Sequence, residues 1–265
     1  MGKPIGKHKD GSNCYTRNCS LDHLTSHSQI MRLQASIYNA FGNSKQSEAK
    51  PKANVYRSLE YGTPEYNFFR EKAEQSESTM TGGEYKAVSE YTGWAFKHYY
   101  AFFEGKHSDG SNFGSKLDEP LKEQLTQALQ NGAAQIDHFI AKSGKFPKPI
   151  KVFRGEKPPK GVSVSEHLAK TYPLGGEIEI KRYLSTTMDP KIASEITNAS
   201  PENYIVVIDT QEGAMLGENI SEQGLREKEV LLPRNRKYKV TRISNDTVQW
   251  GSNKKTHVTV HLSAV

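Results

Sequence analysis

The chain predicts an α+β domain. Apolar residues recur at three-to-four spacing up to Gly144, strand-type runs follow Pro149, and no βαβ alternation interleaves the two. A length of 265 residues suits one large domain or two small ones. A hydrophobic fraction of 35% and a mean hydropathy of −0.73 permit a core but leave part of the chain poorly packed. That part is expected at the start. Gly, Ser, Asn, Lys and Gln dominate residues 1–80, and the boundary of an N-terminal, partly flexible extension is placed at residue 52.

The elements follow in order. Ile30, Leu33, Ile37, Tyr38 and Phe41 predict an amphipathic helix over His27 to Phe41, and Gly42 to Lys52 reads as a linker. Val55 to Leu59 is a short strand and Glu65 to Glu77 a charged helix. Tyr85, Val88, Tyr91, Ala95, Tyr99 and Phe102 predict one helix over Glu84 to Glu104. Gly93 inside it costs ~1 kcal/mol relative to Ala, which implies close packing there. Asp118 and Pro120 open the next helix as N-cap and first-turn proline, and Gly144 closes it. Strands are expected at Ile150 to Arg154, Glu177 to Thr187, Tyr204 to Asp209 and Glu227 to Leu232, with a short helix from Asp189-Pro190 to Ile196. Tyr238 to Ile243, Thr247 to Trp250 and His257 to Leu262 read as a closing meander, turning at Ser244-Asn245-Asp246 and Gly251-Ser252-Asn253.

Charge and leader signals narrow the function classes. The formal net charge is +6, but no Lys/Arg run exceeds two residues. The charge therefore reads as solubility plus attraction to an anionic ligand, and its scatter argues against a nucleic-acid interface. No apolar stretch approaches the ~18 residues of a membrane span. The basic, Gly-rich start lacks the apolar run of a secretory signal, and Gly6 stands where myristoylation wants Ser or Thr. Cys14, Cys19, His23 and His27, with His8 nearby, resemble a zinc set, but the spacing is far shorter than in common fingers. A local turn with two free thiols and no metal is expected instead.

Three strand-end clusters can carry chemistry. Arg154-Gly155 closes a strand with a planar fork of donors suited to phosphate, beside a residue that lets backbone amides approach a ligand. Ser185-Thr186-Thr187 places hydroxyls where they can hold a neighbouring carboxylate. Glu227 and Glu229 stand two apart against an apolar run. In an extended chain they would project to one face, with Val230 and Leu232 facing the other way. Paired carboxylates are costly unless they share a cation or a chemical task. Each cluster also has a bland reading: a strand-end ion pair, a helix cap, a solvated Glu-Lys-Glu strand.

In this order, Arg154, Ser185-Thr186-Thr187 and Glu227-x-Glu229, the clusters resemble the arginine-serine-glutamate class of mono-ADP-ribosyltransferases. The likeness runs from Gly83 to Ile243 and extends to Ala87-Val88-Ser89-Glu90-Tyr91-Thr92-Gly93, Gly175-Gly176-Glu177-Ile178 and Glu229-Val230-Leu231-Leu232-Pro233. It implies two roughly perpendicular, mainly antiparallel sheets flanking an NAD cleft, within a catalytic domain over 53–265. It also implies roles. Arg154 clamps the pyrophosphate, Gly155 holds the nicotinamide amide, and Ser185 orients Glu229, with Thr186 and Thr187 in support. Glu229 stabilises the oxocarbenium-like transition state. Glu227 selects a protein arginine as acceptor, and the loop from Asn219 to Arg226, with Gly224 as pivot and Leu225 beside it, meets the target. Glu222 in that loop ranks below Glu227. Tyr183 and Tyr204 could stack on nicotinamide, although strand tyrosines are more often structural. The implied protein is a monomeric toxin or effector, delivered into or acting in a host cytoplasm. NAD hydrolysis and a basic nucleic-acid-binding module are the alternatives.

Overall fold

The structure, a computed structural model, describes residues 6–7, 13–14, 53–107, 110–197, 202–217, 220 and 224–265. The helix expected at His27 to Phe41, the linker to Lys52 and the Cys/His set lie outside the described side chains. The chain divides into units 1–49 and 50–265. In the first, β1 (Gly6–Lys7) pairs antiparallel with β2 (Asn13–Cys14).

The second unit begins with β3 (Val55–Arg57) and α1 (Pro64–Ser78), whose first turn is capped by Thr63. Next is α2 (Gly82–Glu90), entered through a capping box between Thr81 and Glu84. Glu84 is fully buried and meets Lys142 at 2.6 Å and His138 at 2.5 Å. Both partners lie on α4 (Glu119–Ser143), so one carboxylate both caps α2 and ties it to α4. Burial would raise its pKa, but Lys142, the Thr81 amide and His138 together hold it down at about 2. As expected, Asp118 caps α4, with proline in the first turn, and Gly144 ends it.

The single helix expected over Glu84 to Glu104 is broken. A π turn spans Tyr91–Ala95 before α3 (Phe96–Glu104) resumes. The Thr92 hydroxyl bonds back to the Val88 and Ser89 carbonyls at 3.1 and 3.3 Å, a contact that bends helices. Gly93 lies exposed in this turn with nothing within 4 Å of where a Cβ would stand, so close packing does not account for it. The turn and α3 together bury Tyr91, Ala95 and Tyr99 against Ile136, Phe139, Tyr183 and Leu231, and leave Phe96 and Tyr100 only partly covered.

The remaining strands are β4 (Lys145–Glu156), β5 (Glu177–Ile180), β6 (Leu184–Thr187), β7 (Tyr204–Glu212), β8 (Ala214–Met215), β9 (Glu229–Leu232), β10 (Arg236–Trp250) and β11 (Asn253–Ala264). Between them lie α5 (Val164–Thr171), α6 (Pro190–Ile196) and the short α7 (Gly224–Glu227). Strand order is β3-β10-β11-β7-β4-β6-β9-β8, with β5 also on β10. β3–β10 and β11–β7 are parallel and the other pairs antiparallel. β4 pairs with β7 along most of its length but touches β6 at one residue pair, Phe153 with Thr187. That pair joins a six-strand part to a three-strand part (β6, β9, β8).

Two further expectations change. The strand over Glu177 to Thr187 is two strands with different partners, since β5 joins β10 while β6 joins β9. The turn at Ser244-Asn245-Asp246 is continuous strand in β10, and only Gly251-Ser252 turns the chain into β11. Asp246 is fully buried there. It accepts from Thr259 at 2.8 Å, His261 at 2.7 Å and the Asn54 amide at 2.9 Å, which together outweigh its burial and lower its pKa to about 2.

Candidate active site

Sequence-distant segments meet in a cleft of about 300 Å³ where β4, β6 and β9 face the π turn, α3 and α6. Arg154, Gly155, Ser185, Thr186, Thr187, Glu227 and Glu229 all line it. A wider groove of about 790 Å³ lies elsewhere, and none of the expected site residues lines it. Volume alone therefore does not mark the site. Gly224 and Leu225 lie on α7, Asn219 and Glu222 lie outside the described residues, and Tyr183 and Tyr204 do not line the cleft. Tyr183 instead donates to the Ala133 carbonyl at 2.9 Å and to Asp137 at 2.7 Å, a packing role.

Arg154 and Glu156 sit two apart on β4, on one face of the strand. Arg154 donates from Nε to Glu156 at 2.5 Å and from Nη1 to the Ser185 carbonyl at 2.6 Å. Burial works against its charge, but the Glu156 carboxylate, together with Tyr100 and Tyr91, outweighs burial and holds the guanidinium above its ordinary pKa. Glu156 is partly buried, as is Arg154, and Arg154 and Arg182 together keep it below the usual carboxylate range. Arg182 lies 3.7 Å from Glu156, with its guanidinium 4.3 Å from the Tyr100 ring centre.

Gly155 has a steric reason to be glycine. A Cβ there would stand 2.6 Å from the Ala193 carbonyl oxygen and 3.0 Å from Thr197 Cγ2, so β4 and α6 could not approach as they do.

Glu229 is 6% exposed at the start of β9. Burial and then the Glu227 charge push its pKa up, the Ser185 hydroxyl and Arg154 pull it back, and the outcome is about 7. Glu227 is partly buried, and burial raises it as well. The two do not share a strand face, contrary to the i, i+2 expectation. Glu227 ends α7, and Lys228 between them has φ 48°, the left-handed region. That kink turns a helical residue and a strand residue into one cleft. The backbone is held at each step. Thr187 Oγ1 donates to the Glu227 carbonyl at 2.5 Å, the Met188 amide to that of Lys228 at 3.0 Å, and the Leu216 amide to that of Glu229 at 3.0 Å.

Residues 65–264 match the family model described as ADP-ribosyltransferase exoenzyme. The chain belongs to that family. Its fold is that of solved ADP-ribosyltransferase toxins. The enzymatic component C2-I of the Clostridium botulinum C2 toxin superposes with a TM-score of 0.54 at 16% identity, covering 75% of this chain and 47% of C2-I. Plx2a, an ADP-ribosyltransferase toxin from Paenibacillus larvae, gives 0.52 at 16% identity and covers 75% and 94%. The ADP-ribosylating toxin BECa of C. perfringens, solved with NADH, gives 0.53 at 18% identity and covers 75% and 47%. The chain thus spans about half of C2-I and of BECa and nearly all of Plx2a. No curated protein matches it by sequence.

Of the other residues that line this cleft, Tyr91 and Thr92 fall in the Ala87-to-Gly93 motif without an assigned role, while Phe96, Tyr100, Ile192 and Ile196 fall outside the motifs, as do Glu156 and Arg182 beside Arg154. Glu156 had a signal, since it is the next residue on the Arg154 face of a strand. Phe96 and Tyr100 had none, because in sequence they are indistinguishable from a helix core stripe. Among the described residues, no group of three His, Cys, Asp or Glu side chains is placed to hold a metal, and no helix is long and apolar enough to cross a membrane.

Proposed function

We propose that this ADP-ribosyltransferase uses NAD to mono-ADP-ribosylate arginine side chains of a target protein, with residues 53–265 as its catalytic domain. The observation that carries the reading is the convergence of Glu227 and Glu229 on one cleft, with Arg154 and Ser185 facing them.

Arg154, held charged by Glu156, is the anion anchor for the dinucleotide pyrophosphate. As the N-glycosidic bond breaks, its electron pair leaves with nicotinamide and positive charge develops on the ribose. Glu229, oriented by Ser185, stabilises that charge, the role a carboxylate plays in glycosidases. Thr186 fixes the register of β6 on β9 by donating to the Val230 carbonyl at 2.6 Å. The acceptor guanidinium is protonated and a poor nucleophile. Glu227 binds it and takes its proton as its nitrogen attacks the ribose carbon. Burial raises the basicity of Glu227, which suits that task. The segment around Gly224 and Leu225 leads directly into Glu227 and is assigned to target contact. The protein acts as a monomeric toxin or effector in a host cytoplasm.

Two substitutions test the roles. Glu227→Gln should abolish transfer to arginine and leave most NAD hydrolysis. Glu229→Gln should abolish both. Small, equal effects would refute the assignment. Labelled NAD with a cell lysate separates transfer from plain hydrolysis, because only transfer puts label on a protein band.

A further inference from the structure

Lys228 stands between the two carboxylates, yet its ammonium turns away from them. Nζ donates to Asp189 Oδ2 at 2.5 Å and to the Leu59 carbonyl at 2.9 Å. The pair is enclosed, with the Lys228 side chain 15% exposed and that of Asp189 1%. Ser58 donates to the same Asp189 oxygen at 3.3 Å, while Asp189 Oδ1 caps α6 through the Lys191 amide at 3.0 Å. Three separate segments, 58–59, 187–189 and 227–229, are therefore fastened at one lysine. That lysine holds a backbone conformation that side chains other than Gly, Asn and Asp rarely adopt.

Strain of this kind persists only where the surroundings over-determine it, and here the over-determination is visible. Burying a cation on a single carboxylate also needs a return beyond surface solubility. Neither feature is needed to form β9, which is already paired with β6 and β8. What both features do fix is the angle between Glu227, on a helical turn, and Glu229, on a strand.

We propose that Lys228, through its tether to Asp189 and Leu59, is a positioning residue that sets Glu227 against Glu229 and so decides how ADP-ribose partitions between a guanidinium acceptor and water. The inference rests on the transferase reading above. Glu229 is anchored by β9 and Ser185 and keeps its place when the tether is lost. Among the described residues, the bond made to Glu227's own backbone comes from Thr187 to its carbonyl, and the direction of its side chain follows the kink at Lys228.

The test compares wild type with Lys228→Met, which keeps the stem and loses the charge, with Lys228→Gly, which also relieves the backbone, and with Asp189→Asn, which keeps the α6 cap. Transfer to a small guanidine compound and NAD hydrolysis are measured side by side, with circular dichroism to verify folding. The ratio of transfer to hydrolysis should fall about tenfold or more in all three, with hydrolysis within about threefold of wild type, since ångström-scale misplacement is costly only for the group that moves. An unchanged ratio, or loss of both reactions in step, overturns the inference while leaving the transferase reading standing. A wild-type chain that consumes no NAD overturns both.

Discussion

Glu229 carries the sharpest consequence at the scale of single residues. Burial lifts its pKa to about 7, so near neutral pH it is partly protonated, and the ionised form is the one that can stabilise developing positive charge. NAD hydrolysis is therefore expected to rise with pH through a midpoint near 7, as read from kcat/KM across pH 5–9. The same shift is a stability statement. A folded pKa above the ordinary carboxylate value means that stability is lost as pH rises through that interval. Glu229→Gln should accordingly stabilise the protein at pH 8, by about 1–3 kcal/mol. That corresponds to a rise of several degrees in Tm by calorimetry, at roughly 2–4 °C per kcal/mol. A lower Tm would mean that the carboxylate is better solvated than its 6% exposure implies. That this residue starts a strand and lines the cleft was signalled in sequence, because it abuts the apolar run Val230-Leu231-Leu232. The geometry of its partner was not. Alternation placed Glu227 on the same strand, whereas a left-handed Lys228, stabilised by Asp189 thirty-nine positions away, delays the start of the strand to Glu229, two residues later than expected.

Elements were legible where their ends carry local chemistry. The Asp118 cap, the first-turn proline and Gly144 bound α4 because capping involves only neighbours in the chain. The π turn escaped notice because a single widened turn keeps helix-like spacing on both sides. Ser244-Asn245-Asp246 looked like a turn because its residue types favour turns. The partners that make Asp246 a buried strand residue, Thr259 and His261, come from β11 and are invisible locally. Gly155 shows the same limit. Its sequence signal was close approach to a ligand, but the close approach the structure shows is of α6 to β4. Gly155→Ala should therefore destabilise the fold itself, by about 1–3 kcal/mol from overpacking. Denaturant unfolding would detect this in the absence of any ligand, and an unchanged midpoint would mean that α6 yields without cost.

Opposing titrations shape the stability of the whole molecule. Burial lowers His257 to about 4, so it stays neutral when folded, and stability is lost as pH falls from the ordinary histidine value toward 4. Glu229 has the opposite sign over nearly the same interval, so the two offset one another. Glu84 and Asp246, both held at about 2, contribute stability that disappears only as pH falls from about 4 to 2. The expected Tm profile is nearly level between about pH 4.5 and 6.5 and drops steeply below pH 4. Glu229→Gln should tilt the level part, so that Tm declines on acidification from pH 6.5, and His257→Gln should tilt it the other way. A profile with the same slope in wild type and both variants would refute this pairing. One further consequence comes from the join between the two parts of the sheet. Beyond the lone rung of Phe153 and Thr187, the hydrogen bond from Arg154 to the Ser185 carbonyl also crosses that seam. The proposed anchor of the dinucleotide is thus a rivet as well, and stripping its guanidinium would let the jaws of the cleft part before any substrate arrived.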